Sequence, residues 1–469
     1  MTFIHGAEIA RHDTEKDCWV VIHGKVWNVS EFLSDHPGGA GVIAKFSGRD
    51  ATEAYNEVHD PDLVASTLSS SMYLGEVLPG SLAKPQQEAA TALATTITTN
   101  SAHPPLQSII NVDDFEKVAK LYLSPTGWAY YASGAEDEVS LMDTRRLFQM
   151  ITFRPRVLRR VEPISTAVKI LGHHSSLPFY ISPTGLGRYA HPNAESVLAC
   201  AAGKSGAIYC MPTTAAHESV FAARSNPGQS LFFQLYTTRE QSKAKAMIRK
   251  LEALGAGALF LTVDSPVIGR REQDERIKIA DGSGVSSGVA KAGSLGLLNP
   301  TLSWEDLKWI RETTSMPLVL KGIQTVEDAV LAYDLGVQGI VLSNHGGRSL
   351  DTAQAPIITL LEIQKHAPRL LTPQIREKFQ VFVDGGFRRG TDILKALALG
   401  ASAVGIGRPF LYSMTAGYGE AGVTRLLQML RVEIETSMAL AGATTIGELI
   451  PEMVNSERAE SEVSRRIKL

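Results

Sequence analysis

Two histidines, His36 in the string His36-Pro37-Gly38-Gly39 and His59 in Val58-His59-Asp60-Pro61, stand 23 residues apart near the start of the chain. A pair of neutral imidazoles can ligate opposite faces of one haem iron when a rigid pocket fixes their orientation. Pro37 restricts the backbone beside His36, and the two glycines let a flat group approach closely. Taken alone, the same string reads more readily as a turn, and His59 as the cap of a loop. Far downstream, Ser343-Asn344-His345-Gly346-Gly347-Arg348 places an imidazole base three residues before a guanidinium fork. Arg348 can pair with a small carboxylate through two hydrogen bonds while His345 takes a proton from the same molecule. Asp264, ending Leu261-Thr262-Val263-Asp264, is of the type that orients such an imidazole and stabilises its charged form, and the alternative that it caps a helix carries less weight because His345 and Lys321 end runs on the same face.

Two glycine- and arginine-bearing strings suit a phosphate: Asp384-Gly385-Gly386-Phe387-Arg388-Arg389-Gly390 and Gly407-Arg408-Pro409. Either one alone reads as a tight turn with solvated arginines. Both in register supply backbone amides and guanidinium forks for one anion. An FMN site needs such anion donors, a cation near the ring edge that becomes anionic on reduction and polar contacts to the ring heteroatoms, and the chain has candidates for each.

These residues need a scaffold that brings strand ends together. Eight short apolar runs recur beyond residue 105: Phe179–Pro183, Ala207–Met211, Leu231–Tyr236, Ala258–Asp264, Pro317–Gly322, Gly339–Asn344, Val381–Gly385 and Ala403–Arg408. Near-continuous apolar runs alternating with helix-like stretches predict an α/β fold, a (β/α)8 TIM barrel, with a doubly wound sheet as the alternative. Polar groups end nearly every run, and in a barrel they converge on one face. Residues 1–77 mix β-rich runs such as Cys18–Ile22 and Lys25–Val29 with short capped segments, as a small α+β domain does. Residues 78–105 are rich in Pro, Ala, Thr and Gln and read as a linker, leaving 106–469 for the barrel. A Gly/Ser-rich insertion between the fourth and fifth runs, Asp281-Gly282-Ser283-Gly284 and Ser286-Ser287-Gly288, reads as a mobile lid or a plain loop.

Composition narrows the field. A formal net charge of -3 with mixed signs gives no basic field for nucleic acid, so none is expected as a partner. Cys18, Cys200 and Cys210 lack the spacing of a disulfide framework or a zinc site. No apolar run is long enough for a membrane span, and Glu8, Asp13, Glu15 and Asp17 interrupt any targeting pattern at the start. A cytoplasmic location, or the mitochondrial intermembrane space after loss of a leader, is expected.

Residues 5–77, with Asp17-Cys18-Trp19-Val20-Val21-Ile22-His23-Gly24-Lys25-Val26-Trp27, Phe32-Leu33, His36-Pro37-Gly38-Gly39, Ala54-Tyr55 and His59, closely resemble the cytochrome b5 family. That resemblance implies haem b with His36 and His59 as the axial ligands. From about Asn111 to Ile450, the strings Tyr130-Tyr131-Ala132-Ser133-Gly134-Ala135, Phe233-Gln234-Leu235-Tyr236, Leu261–Asp264, Leu320–Gly322, Ser343–Arg348, Val383–Gly386 and Ile406–Pro409 resemble the FMN-dependent L-2-hydroxy-acid oxidising enzymes. In that family's terms His345 is the base and Asp264 its partner. Arg348 and Tyr130 bind the carboxylate, Tyr236 meets the substrate hydroxyl, Arg271 is a second cation, and Lys321 stabilises the reduced flavin. The resemblance also assigns Ser182, Thr184, Gln234, Thr262 and Ser343 to the flavin, and Asp384, Gly385, Arg388, Gly407 and Arg408 to its phosphate. Together the two modules imply oxidation of an L-2-hydroxy acid, L-lactate foremost, with electrons passing through the haem to cytochrome c or a similar acceptor, in a homotetramer. L-Mandelate or glycolate is the alternative substrate; an FMN-dependent isomerase and a non-catalytic haem sensor are alternatives of other classes. The chain departs from lactate-specific relatives in the pocket. Gly185 and Thr214 leave more room beside the substrate methyl, and Pro212 lacks the hydroxyl and amide hydrogen expected there.

Overall fold

The computed structural model describes residues 2–36, 39–59, 63–82, 103–280, 298–464 and 467. Pro37, Gly38, most of the expected linker and the Asp281–Gly288 insertion lie outside the described residues. The chain divides into two compact units, the first built mainly from residues 1–109 and the second from 110–277 and 287–469.

Among the described residues the first unit has six strands: β1 (Phe3–Ile4), β2 (Asp13–Thr14), β3 (Asp17–Ile22), β4 (Lys25–Asn28), β5 (Arg49–Asp50) and β6 (Tyr73–Val77), in the order β1-β6-β4-β3-β2 with β5 paired to β3. The turn between β3 and β4 has only His23 and Gly24 at its centre, both at positive φ (51° and 74°), which fits the twist of a tight hairpin. Alternation along β3 sends Cys18, Val20 and Ile22 to one face and Val21 to the other. Trp27, Val29, Leu33, Ala51 and Val64 cover the first face, and Ile9 and Val26 lie with Val21 on the second. Past Val77 the chain stays on this unit: Leu78 N donates to Ile4 O at 2.8 Å, and Ser81 Oγ accepts from Gly6 N at 2.9 Å.

The second unit adds a short pair, β7 (Thr152–Phe153) with β18 (Val454–Asn455), and a hairpin, β8 (Val168–Ile170) with β9 (His173–Ser175). Its centre is a closed parallel barrel of β10 (Phe179–Ile181), β11 (Ile208–Met211), β12 (Leu231–Leu235), β13 (Leu259–Thr262), β14 (Leu318–Ile323), β15 (Gly339–Leu342), β16 (Gln380–Asp384) and β17 (Ala403–Ile406). β10 pairs with β17, and this closure excludes the doubly wound alternative. All eight strands coincide with the apolar runs, because residues buried on both faces leave a continuous signal.

The barrel interior is solid. Tyr180, Phe232, Phe260 and Phe382 meet there with ring centres 5.6–6.1 Å apart, so a ligand must sit above the strands. Before the barrel, the helix Pro125–Ala132 starts at Ser124, whose side chain accepts from Gly127 N, with proline at its first position. The helix Val139–Gln149 is held from far along the chain: the Asp351 carboxylate accepts from Asp137 N, Val139 N and Ser140 N. Burial alone would raise the Asp351 carboxyl, but these amides outweigh it and lower its pKa, fixing the end of the loop that follows β15. Among the described residues no helix is long and apolar enough to cross a membrane.

Candidate active site

The loop after β15 turns through three consecutive left-handed residues, His345 (φ 59°), Gly346 (φ 66°) and Gly347 (φ 76°). A Cβ on Gly347 would come within 2.6 Å of Leu141 N, so only glycine fits there, and Ala135 N donates to the Gly347 carbonyl at 2.7 Å. The left-handed backbone at His345 is uncommon for a side chain with a Cβ, and the two flanking contacts hold it.

His345 Nδ1 lies 2.9 Å from Asp264 Oδ1, and the carboxylate side chain is wholly buried. That closeness depends on Gly322. β14 bulges there with φ 118°, and a Cβ would stand 2.5 Å from Asp264 Cβ. Burial would raise the Asp264 carboxyl, but His345 and Lys321 more than offset it and hold it below the usual aspartate range. The carboxylate therefore keeps Nδ1 protonated and leaves Nε2 as the acceptor, 3.2 Å from Tyr236 Oη. Burial raises the Tyr236 phenol far above its ordinary range, so it stays a neutral donor.

Lys321 Nζ sits 3.2 Å from Asp384 Oδ2 and donates to Ser343 Oγ at 3.1 Å. Burial works against its charge, yet Asp384, Asp264 and Tyr236 raise it well above the usual lysine range. Gln234 and Thr262 form a second pair, Gln234 Nε2 donating to Thr262 Oγ1 at 2.9 Å. Thr213, to which the sequence reading gave no role, ties the backbone of Gln234 to that of Tyr236: its hydroxyl donates to Gln234 O at 2.8 Å and accepts from Tyr236 N at 2.9 Å.

Tyr130 is clasped by two cations, with Arg348 4.7 Å and Arg271 5.2 Å from its ring centre. Arg348 Nη2 donates to Tyr130 O at 2.9 Å, and Arg271 lies 3.7 Å from Asp274. Burial and the neighbouring Arg348 both lower Arg271, which favours an anion between them. Gly185 and Thr214 lie side by side: a Cβ at 185 would be 2.8 Å from Thr214 Oγ1.

The expected phosphate residues fall at the ends of β16 and β17. Arg408 Nε donates to Tyr131 O at 2.8 Å, and burial pushes its pKa down to about 10. Arg388 is not a free cation. Both of its terminal nitrogens face Glu116, at 2.9 and 3.2 Å, a partner 272 residues earlier that no local pattern announces. Gly385 and Gly386 are left-handed, and a Cβ on Gly386 would strike Thr144 O at 2.2 Å.

Ser182 Oγ, Thr184 Oγ1, Asp384 Oδ1, Arg348 Nε and Arg271 Nη1 are buried polar atoms without a hydrogen-bond partner among the described residues. Unsatisfied groups are costly and rare, and these five carry the donor and acceptor set that a flavin ring and a small carboxylate require. In the first unit His36 and His59 face one another with ring centres 5.8 Å apart. Two imidazoles on opposite sides of one ion, each about 2 Å from it, would have ring centres roughly 6 Å apart. His36 Nδ1 meets Gly39 O at 3.2 Å, which leaves Nε2 as the free acceptor, and burial lowers its pKa towards the neutral form that ligation needs. Phe32 meets the His36 ring and Tyr55 the His59 ring, with centres 5.9 and 5.0 Å apart, and both aromatics pack against the apolar core of the unit. Both cofactors fit the residues present.

Residues 119–456 match the family described as FMN-dependent dehydrogenase, and residues 6–78 match the cytochrome b5-like haem/steroid binding domain. The chain is 39% identical over 459 residues to an L-lactate dehydrogenase (cytochrome) of Wickerhamomyces anomalus, covering 96% of this chain and 79% of the relative. It is 40% identical over 362 residues to glycolate oxidase 3 of Arabidopsis thaliana, covering 73% of this chain and 94% of the relative. The solved flavin-binding domain of baker's yeast flavocytochrome b2 superposes with a TM-score of 0.70 at 38% identity, over 78% of this chain and 90% of that one.

Proposed function

The chain belongs to the FMN-dependent dehydrogenases and carries a cytochrome b5-like domain at its N-terminus, and from that premise we propose that it oxidises an L-2-hydroxy acid, L-lactate foremost, to the 2-oxo acid and delivers the electrons to cytochrome c. The supporting observation is His345, held by a buried Asp264 and facing Tyr236 on the barrel face that also carries Arg348 and Arg271. FMN supplies the acceptor for two electrons, with Lys321 the cation for the charge it gains, and haem b supplies a one-electron relay. Ser182, Thr184, Gln234, Thr262, Ser343, Asp384, Gly385, Arg388, Gly407 and Arg408 are the residues we assign to hold the flavin, and His36 and His59 the haem iron.

Arg348 and Arg271, backed by Tyr130, bind the substrate carboxylate and fix which face of the 2-carbon turns to the cofactor. Tyr236 Oη meets the hydroxyl. His345 Nε2 accepts the proton that leaves as the alcohol becomes a ketone, and Asp264 stabilises the imidazolium so formed. Within the homotetramer we propose, exposed Val157 (81%), Leu158 (103%) and Leu440 (73%), on segments joined by the Arg156–Ala441 backbone hydrogen bond (3.1 Å), are the apolar side chains we assign to a subunit contact. With cytochrome c as acceptor, the mitochondrial intermembrane space is the compartment we favour over the cytoplasm.

The test is anaerobic mixing with L-lactate, L-mandelate and glycolate. The flavin should bleach with a 2-hydroxy acid, which neither an isomerase nor a haem sensor would do stoichiometrically. His345→Gln should slow that bleaching by roughly 10²–10⁴ with both cofactors retained. Near-normal bleaching in this variant would remove His345 from the chemistry.

A further inference from the structure

Ser265 follows Asp264 directly, and its hydroxyl oxygen is shared. It lies 3.1 Å from His345 Nδ1, 3.2 Å from Asp264 Oδ1 and 3.2 Å from Ser349 Oγ. The Nδ1 hydrogen of His345 thus has two acceptors, the carboxylate at 2.9 Å and this hydroxyl. A hydroxyl has one proton to give and two lone pairs to receive. One arrangement satisfies every group: Ser349 donates to Ser265, Ser265 donates to Asp264 Oδ1, and the second lone pair of Ser265 accepts from the imidazole. The two loops are locked around this point. A Cβ on Gly269 would stand 2.3 Å from Ser349 O and 2.4 Å from Arg348 O, so the chain beyond Ser265 lies directly on the chain beyond His345.

We propose that Ser265 is a positioning residue for His345: its hydroxyl fixes the imidazole plane and moderates the pull of Asp264, thereby setting the pH at which the base is free to take a proton. This rests on the reading of His345 as the base. Asp264 Oδ2 has no hydrogen-bond partner among the described residues, so Oδ1 carries the interactions, and the Ser265 hydrogen bond draws negative charge away from the atom that faces the imidazole. Tyr236 stacks on the ring and meets Nε2 at 3.2 Å as a neutral phenol, and the remaining charged groups of the site are Arg348 and Arg271 on Tyr130, and Lys321, which donates to the same Ser343 hydroxyl that accepts from His345 N. All three are cations. Asp264 is therefore the group whose strength decides how firmly a proton is kept, and removing the Ser265 hydroxyl makes that carboxylate a stronger partner.

The experiment uses the full-length protein with both cofactors bound. In Ser265→Ala the acid limb of kcat/KM for L-lactate should move to higher pH by about half to one unit, because the base stays protonated longer. Oxalate, which binds the same cations without giving up a hydroxyl proton, should keep its Kd, read from the flavin spectrum, within about twofold. Ser265→Thr retains the hydroxyl and should restore the wild-type limb. An acid limb in Ser265→Ala that stays within about 0.2 unit of wild type overturns the inference. So does an equal shift in Ser265→Thr, which would trace the effect to packing rather than the hydroxyl. A wild type whose flavin no 2-hydroxy acid bleaches overturns the proposed function itself, and this role with it.

Discussion

Asp264→Asn keeps the shape of the side chain and removes one charge from behind His345. The carboxylate is wholly buried and 2.9 Å from Nδ1, so water cannot replace it. A hydrogen bond to a charged group contributes about 1.5–3 kcal/mol, and here it is fully formed only when the imidazole is protonated, which corresponds to a loss of roughly 10–10² in rate. The amide adds a second loss if its NH2 group turns towards Nδ1 and forces the proton onto Nε2. The comparable substitution in a Ser-His-Asp triad costs about 10⁴ through that wrong tautomer. Ser265 gives the Nδ1 hydrogen another acceptor and limits this term, so we expect flavin bleaching by L-lactate to slow by roughly 10²–10³. Anaerobic stopped-flow spectroscopy across pH reads it directly. The acid limb should move to lower pH, opposite to Ser265→Ala, because an imidazolium without its carboxylate gives up the proton more readily. Stability follows the same group. Its pKa is lowered in the folded protein, so its contribution is present above the unfolded aspartate value of about 3.9 and is lost as pH falls through the lower folded value. The wild type should therefore lose Tm more steeply than Asp264→Asn at the acid end. Bleaching within threefold of wild type at pH 7, or an acid limb moving upward, would refute the argument.

The space at Gly185 and Thr214 should let 2-hydroxybutyrate or L-mandelate compete with L-lactate within about tenfold in kcat/KM, since a methylene or two is worth only about 1–3 kcal/mol. Gly185→Ala, whose new methyl would press on Thr214 Oγ1, should turn the preference towards lactate; a wild-type preference for lactate above about a thousandfold over 2-hydroxybutyrate would mean other side chains close the pocket. His36→Ala, His59→Ala or removal of residues 1–100 should abolish the haem spectrum and most cytochrome c reduction while ferricyanide reduction by substrate persists, and a haem-free protein reducing cytochrome c at the full rate would place the haem off the path. Residues 1–77 hold twelve acidic and five basic side chains, so docking with a basic acceptor should be salt-sensitive. Raising ionic strength from about 0.01 to 0.15 M shortens the screening length from about 30 to 8 Å and should slow cytochrome c reduction but not ferricyanide reduction; equal responses would argue against electrostatic docking.

What the chain discloses in one dimension is burial. Each barrel strand is enclosed by helices outside and by the Phe232, Phe260 and Phe382 layer inside, so each is written as an unbroken apolar run and its ends can be read to within a residue or two. Parallel order then places the C-terminal residues of the runs on one face, which is why Asp264, Lys321, His345 and Asp384 could be grouped before any distance was known. The pairings within that group are a different kind of information. That Arg388 faces Glu116, that Thr213 joins Gln234 to Tyr236, and that Asp351 holds the helix Val139–Gln149 depend on loop paths between residues up to 272 positions apart. Nothing in composition or periodicity encodes such a meeting. Glycines come nearest to doing so. Gly322 and Gly347 stand where a Cβ would strike Asp264 and Leu141, so each marks a place where two distant segments touch, but the sequence names only one of the two partners. Ser265 shows the limit most plainly: it sits next to a residue of obvious chemical promise, yet its bond to an imidazole 80 positions away exists only because Gly269 lets the two loops close on each other.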